Sequence, residues 1–294
     1  MPTKSSRAAT ALSRPAALAL LAPAGLVFLF FFLVPFATMA AMSVLSANPL
    51  VAPNATLTAR HYERLAGDSF YAEVLWDTLR LGLLTTLLAL LLGYPLALLL
   101  ARARPGLRTA LLVAVVAPMV MGLVVRTYAW LGVFSNTGVL NGTLLALGLV
   151  ERPVAFLGTE AAVVVALAHI YVPFMILTLT GVIARIDVRV EEAARLHGAS
   201  RPRAFLEVTL PLSLPGIAAG SLLVFALSVS AYVTPIVIGG SQVLTLPILV
   251  FQQVSASFNL GFAAALGVVL LAVSLVLVWG YGRAMRRAGA GGGA

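Results

Sequence analysis

The sequence predicts an all-α membrane protein with six transmembrane helices and both termini in the cytoplasm. Three observations carry that expectation. Of 294 residues, 61% are hydrophobic and 10% charged, whereas a soluble domain carries about 25% charged residues. The apolar residues gather into six runs near the ~20 residues that cross a bilayer core. The basic residues lie between these runs, with a strong excess in alternate gaps, the pattern that orients a chain in a membrane.

Residues 1–14 carry Lys4, Arg7 and Arg14 and no acid. The apolar run 15–46 that follows exceeds a signal-peptide core of about 7–15 residues, and no small-x-small cleavage pattern follows it. It is expected to be an uncleaved first span that Pro23 and Pro35 kink or bound. Residues 47–75 read as a periplasmic loop, with Asn48-Pro49 and Pro53-Asn54 as turns and a short amphipathic stretch near Ala59–Leu65. The second span runs from about Thr78 to Ala101 and closes on Arg102, Arg104 and Arg108, around a Pro105-Gly106 turn. The third covers about Thr109 to Thr127. Ser135-Asn136-Thr137-Gly138 signals a turn, and Val139–Leu149 a short helix at the surface. Thr159-Glu160 starts the fourth span as cap plus acid, and that span runs to Ala184. The fifth span is predicted over Leu212–Val237, with Gly216 and Gly220 spaced to let helices approach closely. An uncharged loop over 238–260 precedes the sixth span, Phe262–Tyr281. Arg283, Arg286 and Arg287 open a glycine-rich tail, 283–294.

Fourteen of the 19 basic residues belong to the N-terminus, the 102–108 turn, the 185–203 segment and the C-terminus. The opposite side holds Arg60, Arg64, Arg80, Arg126 and Arg152. The positive-inside rule places the first group in the cytoplasm. The net charge of +9 thus reflects topology, and no nucleic-acid partner is expected.

Several chemistries are absent. There is no cysteine, and the single lysine, Lys4, lies in no Gly-Lys-Ser/Thr phosphate loop. The chain is therefore not its own P-loop ATPase. No His-Glu-x-x-His, no Gly-x-Ser-x-Gly and no intramembrane Asp pair points to catalysis, and no metal or cofactor is expected on this chain. Ionisable residues inside spans mark relays and ion sites. Here the span interiors offer His169 with no acidic partner in view, which reads as a packed or hydrogen-bonded helix contact. Energy for transport is therefore expected from outside the chain, although a stand-alone secondary carrier is the rival reading.

The natural input is a polar island, Arg185–Pro211, where nine charged residues crowd into an otherwise apolar chain. Asp187 can cap a helix whose first turn carries Glu191 and Glu192. Val190, Ala193, Ala194 and His197 recur at helical spacing to give a small apolar face. Gly198 ends that helix, and Ser200 can cap a second one that tolerates Pro202 in its first turn. Ala204, Phe205 and Val208 give it an apolar face, with Phe205 as an anchor, and Leu210-Pro211 stops it. On these grounds alone the island is either a docking elbow or a solvated loop.

The spacing decides between them by resemblance. Glu192-Ala193-Ala194, three residues, Gly198, nine residues, then Val208-Thr209-Leu210-Pro211 resembles the EAA loop of type-1 ABC importer permeases, with Val208 in place of isoleucine. Trp76–Arg102 and Arg126–Leu149 resemble the spermidine/putrescine-type permeases in particular. The resemblance implies the type-1 ABC importer permease fold over 76–282, with an added first helix. It also implies that Glu192, Ala193, Ala194, Gly198, Phe205, Val208, Leu210 and Pro211 couple the spans to an ATP-binding subunit. Implied partners are two copies of that ATPase, which uses ATP and Mg, a second homologous permease, a periplasmic solute-binding protein, and the lipid of the bacterial inner membrane. The implied solutes are polyamines or related amine compounds, while similar members carry opines, amino-acid derivatives or ferric ion. Tyr128, Trp130, Asn136, Tyr171, Tyr232 and Gln242 are candidate path residues, since aromatic faces attract cations; interfacial aromatic belts are the competing reading for the tyrosines and the tryptophan.

Overall fold

The computed structural model describes residues 14–46 and 55–290, with side chains for 21–46 and 55–283. Residues 1–13 of the expected N-terminal tail 1–14, the turns at Asn48-Pro49 and Pro53-Asn54, residues 291–294 and the Arg286 and Arg287 side chains lie outside what is described, while Arg14 already belongs to the first helix. The described chain is helical apart from short connections and one isolated antiparallel bridge between Leu45 and Leu57.

The first helical run is α1 (Arg14–Phe28), a π turn (Leu29–Leu33) and α2 (Val34–Met42). The amphipathic α3 (Arg60–Gly67) follows, then α4 (Ser69–Arg102), which Asp68 caps by accepting the Phe70 N–H at 3.0 Å. Helix α4 thus starts well before the predicted Thr78. Next come α5 (Pro105–Val120), α6 (Leu123–Phe134), α7 (Val139–Ala146) and α8 (Glu160–Ile183), the last capped by Thr159 as predicted. The island forms α9 (Val188–Leu196) and α10 (Arg201–Ala204). A π turn (Phe205–Thr209) leads into α11 (Leu210–Val229), and a second (Pro235–Gly239) precedes α12 (Leu246–Ser255) and α13 (Leu260–Ala290).

Among the described residues, five helical stretches are long and apolar enough to cross a membrane: Leu21–Met42, Ser69–Arg102, Glu160–Ile183, Arg201–Val229 and Leu260–Arg283. The predicted third span differs. It breaks at Met121-Gly122, and the helices on either side are bent by 96°. Pro118 cannot donate inside the ladder, and Gly122 adopts an extended ψ of 147° before α6 starts. The fifth span ends at Val229 rather than Val237, and the predicted 238–260 loop contains the ten-residue α12. Thr78 accounts for part of that helix: its buried hydroxyl accepts the Leu246 N–H at 2.9 Å and satisfies an orphan donor at the helix start.

The core is the packing of α4, α8 and α11. Leu81, Ala89 and Ala97 from α4 meet Leu167, Met175 and Leu179 from α8 and Val224 from α11. Helix α8 lies at the centre, since two thirds of its apolar stretch is buried. The Gly216/Gly220 spacing does what the sequence predicts: a Cβ on Gly216 would lie 2.9 Å from Val182 Cβ, and one on Gly220 would lie 2.7 Å from Met175 Sδ. Buried hydroxyls of Thr78, Thr86, Thr180 and Ser228 donate to carbonyls four residues back, so they carry no unpaired polar atom into the apolar interior. A smaller cluster of Tyr71, Leu246, Leu249, Phe262 and Leu266 joins α4, α12 and α13. The Arg64 guanidinium covers the Phe262 ring there at 4.6 Å.

Candidate functional site

The island folds into the predicted elbow. Asp187 Oδ1 accepts the Arg189 N–H at 3.0 Å, which starts α9. Gly198 ends it with φ +91°, a backbone state that L side chains rarely adopt. Ser200 occupies the cap position of α10 with extended backbone, but its hydroxyl makes no capping hydrogen bond.

Leu210-Pro211 does not stop the second helix. The Leu210 N–H bonds the Phe205 carbonyl five residues back, and the wider turn carries the helix past Pro211 into α11. Proline removes one donor and crowds the preceding turn; a π turn relieves both. The elbow's second arm and the fifth span are therefore one helical run, Arg201–Val229.

The faces of the elbow differ in character. Glu192, Ala193 and Gly198 are exposed, Ala194 is half-buried, and Leu196 stands 88% exposed. Glu192, Arg195, Leu196, Ala199, Ser200 and Arg201 line an open cleft of about 550 Å³. Phe205 faces inward instead: it packs edge-on against Tyr94 at 5.7 Å, and the Tyr94 hydroxyl bonds Ser213 at 2.8 Å. The most exposed large apolar side chain of the elbow is Leu196, which the sequence pattern does not single out. Val208 and Leu210 are half-buried, and Pro211 is exposed.

A second feature lies between α5, α6 and α8: an open, mostly apolar cavity of about 520 Å³ reached by Arg126, Trp130 and His169. Trp130 Nε1 donates to His169 Nδ1 at 3.1 Å, the helix contact expected of that histidine. Arg126 corrects the expectation that His169 stands by itself among interior ionisable groups. Its guanidinium donates to the Ile170 carbonyl at 3.2 Å and makes no ion pair among the described residues.

The six candidate path residues do not converge. Trp130 lines the cavity. Tyr171 is 8% exposed inside the core, Tyr128 is 57% exposed, and Asn136 is exposed in its turn. Tyr232 stacks on Phe251 at 5.4 Å, and Gln242 packs beside Gly158. The amide that organises the Asn136 region is Asn141, fully buried, bonding Ser135 O and both backbone polar groups of Val154. Among the described residues no group of three or more His, Cys, Asp or Glu could hold a metal ion.

Comparison with known proteins supplies the family. Residues 89–289 match the family described as "Binding-protein-dependent transport system inner membrane component". The spermidine/putrescine transport system permease protein PotB of Haemophilus influenzae is 33% identical over 256 residues, covering 87% of this chain and 89% of that protein. PotB of Escherichia coli is 34% identical over 229 residues, 78% of this chain and 83% of that one. A bacterial alginate ABC transporter solved with its alginate pentasaccharide-bound periplasmic protein shares the fold, with TM-score 0.73 at 20% identity over 93% of this chain and 94% of that one. With a family match across most of its length and apolar helices able to cross a membrane, the chain belongs to the binding-protein-dependent transport system inner membrane components, as a multi-pass permease subunit of an ABC importer.

Proposed function

We propose that this chain, paired with a second, non-identical permease, forms the inner-membrane path of a polyamine import system for spermidine or putrescine. The observation that carries this reading is the likeness to the PotB permeases across most of the chain. A periplasmic binding protein presents the solute. Two copies of a separate ATPase close on ATP and Mg, and the elbow Glu192–Gly198 docks on them. Both termini and the elbow face the cytoplasm, which is supported by the excess of basic residues on that side. The exposed face around Leu196, Ala193 and Glu192 supports the docking role, because a helix that presents an apolar anchor and small residues beside charge suits a protein groove.

The cavity at Trp130 contains the cationic Arg126 and no carboxylate, so selection of a polycation is assigned to the binding protein rather than to this chain. Reconstitution tests the whole reading. Proteoliposomes containing both permeases, the ATPase, the binding protein and ATP are expected to accumulate radiolabelled spermidine or putrescine. This chain reconstituted without the ATPase is expected to accumulate none. Uptake by the isolated chain would establish the secondary-carrier alternative instead.

A further inference from the structure

The elbow carries two adjacent glutamates with different surroundings. Glu192 is exposed on the open cleft. Glu191 turns toward the membrane bundle. Its Oε2 lies 2.9 Å from Nη2 of Arg102, the last residue of α4, and accepts the Thr209 hydroxyl at 3.2 Å. Thr209 is buried and ends the π turn that feeds α11. One carboxylate oxygen therefore ties α9 to the ends of two spans. Each ionic side chain is only about a quarter exposed, so the pair is screened by solvent less than an ordinary surface ion pair.

The tie matters because of how α9 is held along the chain. It is joined to α8 through a short connection at 184–187 and to α10 through Gly198–Ser200. A Cβ at Gly198 would meet nothing within 4 Å, so local resistance to rotation there comes from the helix-end bonds of the Gly198 and Ala199 N–H groups to the Arg195 and Ala194 carbonyls. A displacement applied to α9 could be absorbed in those connecting dihedrals without moving any span. A shared oxygen at the first turn of α9, held by a guanidinium and a buried hydroxyl, removes that freedom.

We propose that Glu191 is a positioning residue that, through Arg102 and Thr209, makes α9 move as one body with the adjoining ends of α4 and α11. This rests on the elbow being the ATPase-facing element. The chain has no cysteine, so spin labels can be placed at Arg189→Cys on α9 and Leu99→Cys on α4, both exposed positions, in the assembled complex. The parent should give one narrow distance distribution. Glu191→Gln should broaden it several-fold, and the exchanged pair Glu191→Arg with Arg102→Glu should narrow it again. A Glu191→Gln distribution as narrow as the parent's, or an exchanged pair no narrower than the single variant, overturns the proposal. In complexes of unchanged subunit stoichiometry, ATP hydrolysed per spermidine imported should rise several-fold in Glu191→Gln and fall back in the exchanged pair. Loss of yield with an unchanged ratio would make Glu191 merely structural and would also overturn the proposal. A parent complex that hydrolyses ATP but imports no spermidine overturns the polyamine reading, and the label distances still decide the role of Glu191.

Discussion

At Gly198 the backbone takes φ +91° with no heavy atom within 4 Å of where a side chain would begin. The penalty for substitution there is therefore conformational rather than steric, about 1–2 kcal/mol for an L residue in this region, and highest for a β-branched one. Gly198→Val is expected to insert normally yet lose most ATP-driven uptake, because the elbow must re-angle to relieve the strain. Uptake assays on membranes matched for permease content would check this, and uptake equal to the parent's would remove Gly198 from the mechanism. Gly198 and Asp187 were legible in the sequence because their roles are local: one needs a left-handed backbone, the other caps the helix it precedes. Glu191 was not. An acid in a first turn looks like a dipole partner, and its true partners, Arg102 and Thr209, are brought to it by folding. The Trp130–His169 bond and the exposure of Arg126 to the same cavity were hidden for the same reason.

Among the elements, the apolar periods located the long spans well, and the misreadings cluster at prolines and short helices. Pro35 and Pro211 each stand one residue past a π turn, and the intervening Val34 and Leu210 donate to carbonyls five residues back. Rules for proline written for tight helices predict a stop or a kink; a widened turn lets the helix continue. The ten-residue α12 was invisible because Leu246–Ser255, an apolar run of six followed by Gln252, Gln253, Val254 and Ser255, is too short to show a helical period, and its start depends on Thr78 from another element. The α8–α11 contact is where element packing gives its firmest prediction. Gly216→Leu forces atoms onto the branched, half-buried Val182, at 2.9 Å already for a Cβ, and should cost about 1–3 kcal/mol by overpacking. Gly181→Ala on α8 meets nothing within 4 Å and should raise stability by up to about 1 kcal/mol through helix propensity. Thermal melts of the detergent-solubilised protein would compare the two.

For the molecule as a whole, six apolar runs predict six spans, whereas the described residues form five continuous ones and a helix pair bent by 96° over Met121-Gly122. The bundle is asymmetric, with α8 enclosed and the face at α5 and α6 open around the Trp130 cavity. The proposed assembly pairs this chain with a second, non-identical permease. Native mass spectrometry of the purified complex should find one copy of this chain, one of a second permease and two of the ATPase, whereas two copies of this chain would establish a homodimer. The continuity of the elbow with the fifth span also has a mechanical consequence. The 29 residues Arg201–Val229 make a rod about 43 Å long at the helical rise of 1.5 Å per residue. A tilt of about 5° imposed at Arg201 then carries Val229 about 4 Å sideways by the same geometry. Five residues beyond that far end, Thr234 hydrogen-bonds Thr127 on α6 at 2.9 Å. On the proposed docking of the elbow, the rod is a lever arm, with its short throw at the elbow and its long throw delivered near the Thr234–Thr127 bond.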